Sequence, residues 1–416
     1  INKKEVAGMN IWIFNHYAVG PNSSGITRHF DLAKELVKLG HNVRIFASSF
    51  NHQKRKEEQL YPSKTKVIKK EYEGVVFYWI KTPPYYKNDF KRVLNMIAYS
   101  IIAYNFAVKK TNEKPDYVIG SLMHPLAAII GLKVAEKYNA KFIFEERDLW
   151  PQSLIDLGKV SAKNPLVFLL DKLESYLYKK ADKIILLFKD AIKYVKSKGV
   201  EESKILYLPN GVDIRRYGPV RANLPKEIDE RLEHLKGKFV AIYTGAHGLA
   251  NNLDIILDSA RLLKDNHNIH FLLVGDGPEK KRLLNIKEKF RLENLTFIDS
   301  VPKEYIPSIL EKADVGLLPL KNSPVFKWGI SPNKLYDYMA ASLPIILLCN
   351  INEPTIINSE SGIISKENFA KNLSEELVRL SNQKDLVNKL GSNGRSYLEK
   401  FHTWSILAKK FDKELR

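Results

Sequence analysis

The lysine at position 334 stands where a cation is electrostatically out of place. In "GISPNKLYDYMAASLP" (329–344), Ser331 reads as a helix N-cap and Pro332 as the first helical residue, so Lys334 falls in the first turn. The helix dipole puts partial positive charge there, which disfavours a cation and favours an anion. Asp337 follows three residues later, on a neighbouring position of the same face. An exposed lysine–aspartate pair at that spacing is worth only a few tenths of a kcal/mol, roughly. An arriving anion accounts for more. The start of the helix (Ser331, Pro332, Asn333) together with Lys334 suits a diphosphate, and Asp337 can accept hydrogen bonds from ribose hydroxyls.

Other residues of this kind lie just beyond apolar runs. "YTGAHGLANN" (243–252) places Gly245 and Gly248 where backbone amides approach a phosphate, with His247 between them as a donor. "VGDGPEKKRL" (274–283) is a second glycine turn, in which Gly275 either makes a tight bend or lets a ligand approach. In the first half, "AVGPNSSGITRHF" (18–30) is a long loop whose Gly25 and Arg28 can meet a phosphate or sugar. His124 in "MHP" follows another apolar run. "EERDLWP" (145–151) sets Glu145, Glu146, Arg147 and Asp148 directly after a third. These four charges either neutralise one another or include a catalytic or sugar-binding carboxylate, for which Asp148 is the first choice. No spacing suits a metal ion: HxxxH and CxxC are both absent.

The elements that must position these residues alternate. Strand-like runs lie at 10–15, 42–47, 74–80, 116–121, 141–146 and 183–188, then at 239–245, 269–277, 295–300, 315–320 and 344–349. Amphipathic stretches separate them. One is "GITRHFDLAKELVKLG" (25–40), where Ile26, Phe30, Ala33, Leu36 and Val37 share a face and Gly40 ends the helix. Continuous apolar strands alternating with helices predict parallel sheets covered on both faces. Two such series predict an α/β chain of two doubly wound, Rossmann-like domains, 1–210 and 211–401, meeting at "YLPNGVDIRRYGPV" (207–220). Such sheets bind ligands beyond the carboxyl ends of their strands, so the motifs are expected to line a cleft between domains.

The bulk properties narrow the partners. A net charge of +19 suits an anionic partner, whether phosphate-bearing substrate, membrane surface or nucleic acid. The aromatic–basic stacking pattern of nucleic-acid binders is missing, so nucleic acid is not expected. Cys349, the one cysteine, ends an apolar run and reads as a buried inert thiol. No run reaches the ~18 apolar residues of a membrane span. "YYKNDFKRVLNMIAYSIIAYNFAVKK" (85–110) has basic ends and an apolar middle. Its middle reads as a buried helix, and Tyr85, Tyr86, Lys87, Lys91 and Arg92 at its start as contacts with an anionic membrane.

Taken in order, "PNGVD" (209–213), "VGDGPE" (274–279), "ADVGLLPL" (313–320) and "SPNKLYDYMAASLPII" (331–346) resemble the family 4 glycosyltransferases of the GT-B fold. "EERDLWPQSLIDLG" (145–158) and "GAHGLANNLDIIL" (245–257) are similar to its bacterial O-antigen and capsule branch, which includes N-acetyl-fucosamine transferases. The resemblance implies sugar transfer from a nucleotide donor, usually UDP-linked, with retention of configuration and without a metal. It implies a C-terminal nucleotide domain and an N-terminal acceptor domain, joined by a last helix (402–416) that crosses back. It further implies a lipid-linked acceptor and a cytoplasmic place on the inner membrane face. In that frame Gly245, His247, Gly248, Gly275 and Lys334 serve the diphosphate. Asp337 serves ribose, and Val301 or Tyr305 the base. Arg28, His124 and Asp148 face the reacting sugars, with Gly25, Glu146 and Arg147 toward the acceptor. Three positions depart from the family pattern: Gly329 replaces the upstream glutamate, Ala246 an arginine and Asn252 a lysine. Other readings are a noncatalytic nucleotide-sugar-binding partner of a synthase complex and a GT-B-fold UDP-sugar epimerase.

Overall fold

The computed structural model describes residues 8–21, 23, 25–87, 89–366 and 369–416. The chain forms two compact units. One runs to Pro209 and takes in Trp404–Arg416; the other is Asn210–Thr403.

The first unit is built on β1 (Asn10–Phe14), β2 (Asn42–Ser48), β3 (Phe50–Asn51), β4 (Lys56–Glu57), β5 (Val67–Tyr72), β6 (Val75–Ile80), β7 (Tyr117–Leu122), β8 (Lys141–Glu146), β9 (Lys183–Leu186) and β10 (Ile205–Tyr207). Its main sheet runs β10-β9-β8-β7-β1-β2-β6-β5, and β3 pairs with β4 apart from it. All main-sheet pairings are parallel except β5–β6. The helices are α1 (Arg28–Lys38), α2 (Phe90–Lys109), α3 (Pro125–Tyr138), α4 (Gln152–Asp156), α5 (Pro165–Lys180) and α6 (Ala191–Ser197).

The second unit has β11 (Phe239–Thr244), β12 (Ile269–Val274), β13 (Leu295–Ile298), β14 (Val315–Pro319), β15 (Ile345–Leu348) and β16 (Gly362–Ser365). Its helices are α7 (Lys226–Leu232), α8 (Asp254–Leu262), α9 (Lys280–Phe290), α10 (Ile306–Leu310), α11 (Asn333–Ala340), α12 (Pro354–Ser359), α13 (Phe369–Ser381) and α14 (Lys384–Phe401). The last helix, α15 (Trp404–Leu415), belongs to the first unit. Its Trp404, Leu407, Ala408 and Phe411 enter that unit's core beside Phe30 and Leu36 of α1. The periodic apolar face of 25–40 thus has its partner in the chain's last turns.

The second sheet is parallel throughout, in the order β13-β12-β11-β14-β15-β16. The order in which strands are laid down reverses between β11 and β14, and in the first sheet between β1 and β7. These switch points leave a crevice beyond the strand ends, because the flanking loops diverge to opposite faces. The residues singled out from sequence collect around them.

Two details of these elements differ from expectation. Ser331 does not cap α11: the cap position is Pro332, and Ser331 Oγ instead accepts the Asn210 amide at 3.0 Å. The middle of 85–110 is not enclosed: Val93, Leu94, Ile97 and Ile101 of α2 are exposed, while the opposite face, with Asn95, Tyr99 and Ala103, is buried.

Candidate active site

At the switch point of the second unit, β11 ends at Thr244 and the chain turns through Gly245 in the left-handed region (φ 132°). A Cβ on Gly245 would lie 3.0 Å from Lys334 Nζ, so its absence leaves room for the ammonium. Lys334 crosses from the first turn of α11 and rests its Nζ 3.9 Å above the centre of the Tyr243 ring. Burial alone pulls its pKa down from the ordinary value to about 7. No carboxylate among the described residues pairs with it. An unpaired, half-buried lysine at a helix N-terminus, above an electron-rich ring, is an uncompensated anion site.

Around it the positions are fixed by packing. Tyr217 OH donates to Asp337 Oδ1 at 2.8 Å, which holds the carboxylate one turn behind Lys334. Asn210 Nδ2 donates to the Ser331 carbonyl at 2.6 Å and pins the approach to α11. Tyr338 OH accepts the Thr244 amide at 2.9 Å, tying α11 to the end of β11. Pro332 and Asn333 are partly exposed at the mouth of α11. Val301 and Tyr305 are partly buried in the segment after β13, at the same sheet edge. Tyr217, Tyr243 and Asn210 were not picked out from sequence. Their signal is an aromatic or amide beside a glycine turn, which is too common to stand out alone.

The two glycine loops turn out to serve each other. A Cβ on Gly275 would lie 1.9 Å from the Gly245 carbonyl oxygen, and one on Gly277 within 2.9 Å of the His247 backbone. Gly275 therefore has its open side filled by protein, and its glycine is required by loop packing. Gly248 is different: a Cβ there meets only Asn251 Nδ2, at 3.8 Å. His247 is fully buried, 5.8 Å from the Phe297 ring, and both ring nitrogens lack a hydrogen-bond partner. Burial and the nearby Lys280 ammonium lower its pKa to about 4, so the ring is neutral, with one N–H still to donate.

In the first unit the switch point carries a histidine pair. His124 caps the start of α3, and its Nε2 lies 2.6 Å from His16 Nδ1, in the loop after β1. Burial, then the Arg92 charge, lowers the His124 pKa to about 3. His124 Nδ1 and His16 Nε2 are buried and unpartnered. Asp148, two residues past β8, is exposed. Arg147 beside it is buried, and its Nε has no partner. Gly25 takes φ 143°, with a Cβ position 3.1 Å from Val19, inside the loop that leads to α1.

Four expectations need correction. Arg28 is buried and fully engaged: Nε donates to Glu145 Oε1 at 2.9 Å, and its other nitrogens donate to the carbonyls of Leu208 and Pro209. Glu145 also binds His29 and Ser121, at 2.6 Å each, so the arginine is spent on a buried carboxylate. The Arg28 and His29 charges hold the Glu145 carboxyl well below its usual range against the opposing effect of burial. Glu146 points to the other face. It accepts from Tyr178 OH, and burial together with the neighbouring Glu174 raises its pKa well above the ordinary value. It belongs to an internal network. Tyr85 is fully buried, its hydroxyl against His52 Nδ1, so it meets no membrane. Arg92 is half-buried on Tyr17, its Nε 3.4 Å from the Tyr17 hydroxyl. Tyr86, Lys87 and Lys91 are exposed.

No helix among the described residues is long and apolar enough to cross a membrane, and no described cluster of His, Cys, Asp or Glu is arranged to hold a metal. Cys349 is buried, and burial lifts its thiol pKa to about 11.

Comparison with known proteins agrees with this geometry. The family described as Glycosyl transferases group 1 matches residues 226–397, and Glycosyltransferase Family 4 matches residues 23–216. The probable glycosyltransferase WbjE of Pseudomonas aeruginosa is 26% identical over 319 residues, 74% of this chain and 77% of the relative. An Escherichia coli UDP-Gal:alpha-D-GlcNAc-diphosphoundecaprenol alpha-1,3-galactosyltransferase is 26% identical over 214 residues, 49% of this chain and 51% of the relative. The structure of trehalose-6-phosphate from E. coli bound with UDP-2-fluoro glucose superposes with a TM-score of 0.73 at 10% identity, covering 98% of both chains. The two family matches, both to glycosyltransferase domains, follow one another along most of the sequence, and the chain is a glycosyltransferase of the GT-B fold.

Proposed function

We propose that this glycosyltransferase moves a sugar of the N-acetylated amino-sugar class from a UDP donor to a lipid-linked glycan, with retention of configuration, in the synthesis of a bacterial-type surface polysaccharide. One observation carries the reading: the uncompensated Lys334 at the N-terminus of α11, lying against Gly245. A donor diphosphate supplies the missing charge. The amides at the start of α11 and the Gly245 turn would bind its oxygens, and neutral His247 would donate one N–H. Asp337, already oriented by Tyr217, would accept the ribose hydroxyls. Val301 and Tyr305 would flank the base. Charge leaving with the diphosphate is met by lysine and helix dipole, so no metal is required for this step.

Transfer then breaks the anomeric C–O bond to the diphosphate. The acceptor hydroxyl attacks from the same face, and its proton passes to the departing phosphate oxygen. His124, Asp148 and Arg147, at the carboxyl edge of the first sheet, would orient the sugars. The E. coli relative is named for a UDP-Gal donor and a diphosphoundecaprenol-linked acceptor, which supports a UDP donor and a lipid-linked acceptor here. Such an acceptor would bring the enzyme to the cytoplasmic face of the membrane, with Tyr86, Lys87 and Lys91 facing anionic lipid.

Thermal unfolding with UDP, GDP, ADP and CMP, each with and without EDTA, tests the donor site. A ligand at about 100 times its Kd adds about 2.7 kcal/mol. A rise in Tm with UDP alone, unaffected by EDTA, is expected. No rise with any nucleotide refutes the Lys334 site. A second reading rests on Gly329, whose φ of 99° is strained for the glutamate that the family pattern places there. On that reading the chain binds UDP-sugar without turnover. Release of UDP from UDP-N-acetylhexosamines, with a diphosphoprenyl glycan present, separates the two.

A further inference from the structure

We infer that the first unit carries a separate sugar-binding cleft, away from the reacting residues, that holds a neutral sugar unit of the acceptor glycan. The inference rests on the proposed glycan acceptor and gives it a foothold that no motif in the sequence pointed to.

The cleft has a volume of about 420 Å³ and lies between the loop after β1, the β3–β4 hairpin and the strands β5 and β6. One wall is aromatic. Trp79 of β6 stacks on Phe77 with ring centres 4.7 Å apart, and Tyr72 of β5 meets Phe77 edge-on at 5.5 Å. Gly20 passes over both rings: a Cβ there would lie 3.5 Å from the Trp79 indole and 3.9 Å from the Tyr72 ring. The opposite wall is polar and held in place. Glu58 accepts from Lys54 Nζ at 2.9 Å and from Ser23 Oγ at 2.7 Å. Glu57 accepts from Ser49 Oγ at 2.9 Å and from the Gln59 amide at 3.0 Å. Each carboxylate keeps acceptor sites beyond those bonds. Trp79 Nε1, a donor, and Gln59 Oε1, an acceptor, are buried without a hydrogen-bond partner.

The chemistry of the walls selects the ligand. Lys54 and Lys56 offset Glu57 and Glu58, so the lining has no net charge to draw in a phosphate or an acid. Aromatic surface facing oriented carboxylates suits a molecule with an apolar face and a rim of hydroxyls, which is a sugar ring. Its hydroxyls can accept from the indole N–H, donate to the Gln59 amide and donate to the carboxylates, which completes the buried polar atoms.

The place of the cleft in the sheet sets what it can hold. β6 stands three strands from β7, which leads to His124, in the order β7-β1-β2-β6. At the usual spacing between strands that is about 14 Å, further than one sugar ring spans. The cleft therefore does not hold the sugar that reacts. It holds another unit of the same glycan.

Saturation-transfer NMR on the full chain is the test, with the neutral disaccharides N,N′-diacetylchitobiose and maltose as probes. Saturation is expected to reach the protons of at least one of them and to persist when UDP is added. Gly20→Val fills the space over the two rings, and Glu58→Gln keeps the shape of the polar wall and removes its charge. Each should weaken disaccharide binding by about tenfold or more. The Tm shift with UDP should be unchanged in both, which verifies the fold and the donor site; if Gly20→Val loses it, Glu58→Gln alone decides. A parent that binds neither disaccharide, or that gives up its disaccharide to UDP, overturns the cleft as a separate sugar site. So do variants that keep the UDP shift and hold the disaccharide as tightly as the parent. A parent that binds disaccharide through Gly20 and Glu58 but shows no shift with UDP supports the cleft and refutes the proposed donor site.

Discussion

Lys334 makes nucleotide binding a protonation event. Its pKa of about 7 means that near pH 8 only about one molecule in ten carries the charge when the site is empty. The unfolded chain keeps an ordinary lysine. Between about pH 7 and 10 the unfolded state therefore binds more protons, and the stability of the empty protein rises with pH across that window. Holding the ammonium charged in the empty site costs about 5 kcal/mol. A diphosphate beside Nζ reverses this, and the lysine becomes fully protonated. At pH 8, binding UDP should take up about 0.9 proton, and affinity should fall roughly 15-fold between pH 7 and 8.5. Titration calorimetry in buffers of different ionisation enthalpy reads the proton directly. Lys334→Met keeps the stem over Tyr243 and removes the charge. It should bind UDP about 100-fold more weakly, show no proton uptake, and make the empty protein more stable at pH 6. Unchanged UDP affinity in Lys334→Met, or pH-independent binding in the parent, refutes the anion-site argument.

Other consequences follow from the packing. Gly275→Ala puts a Cβ 1.9 Å from the Gly245 carbonyl and should cost about 3 kcal/mol or more in denaturant unfolding, with loss of UDP binding, whereas Gly248→Ala should be near neutral in stability. Glu145→Gln leaves buried Arg28 without its counter-charge and should destabilise the first unit by about 3–5 kcal/mol. Asp337→Asn should weaken UDP more than 2′-deoxy-UDP; equal losses for the two ligands would remove ribose from its role. His124, neutral in the fold with a pKa of about 3, takes up a proton only on unfolding between about pH 6.5 and 3. It should cost about 2 kcal/mol of stability by pH 5, and in His124→Phe the acid limb of stability should be shallower.

The architecture was legible because parallel sheets write themselves as continuous apolar runs. Eleven runs read from sequence coincide with strands to within a few residues. What escaped is what such runs do not encode. β5 exposes Lys69, Lys70 and Glu71 in a row on the antiparallel edge of its sheet and so lacks the continuous apolar run of a parallel strand, and β10 and β16 are only three and four residues long. The exposure of α2 escaped for a related reason. An apolar helix looks the same in sequence whether a neighbour covers it or not, and only the placement of α3 on one side of it decides which side is left open.

The site shows the same limit more sharply in two basic residues. Arg28 and Lys334 both stand in the first turn of a helix behind a glycine-bearing loop, and the dipole argument applies equally to each. What separates them is a carboxylate from elsewhere in the chain. Parallel pairing sets Glu145 opposite Ser121 in the neighbouring strand, and that places its side chain where Arg28 and His29 reach it. The first site is thereby neutralised from within and becomes structure. At the second switch point the corresponding space is taken by the Tyr243 ring and the bare Cα of Gly245, neither of which carries charge. A ring and a glycine lower the cost of a half-buried ammonium without cancelling it. The charge left over is the part of this fold that only a ligand completes, and whether a first-turn cation is structural or functional depends on a tertiary partner that no local motif contains.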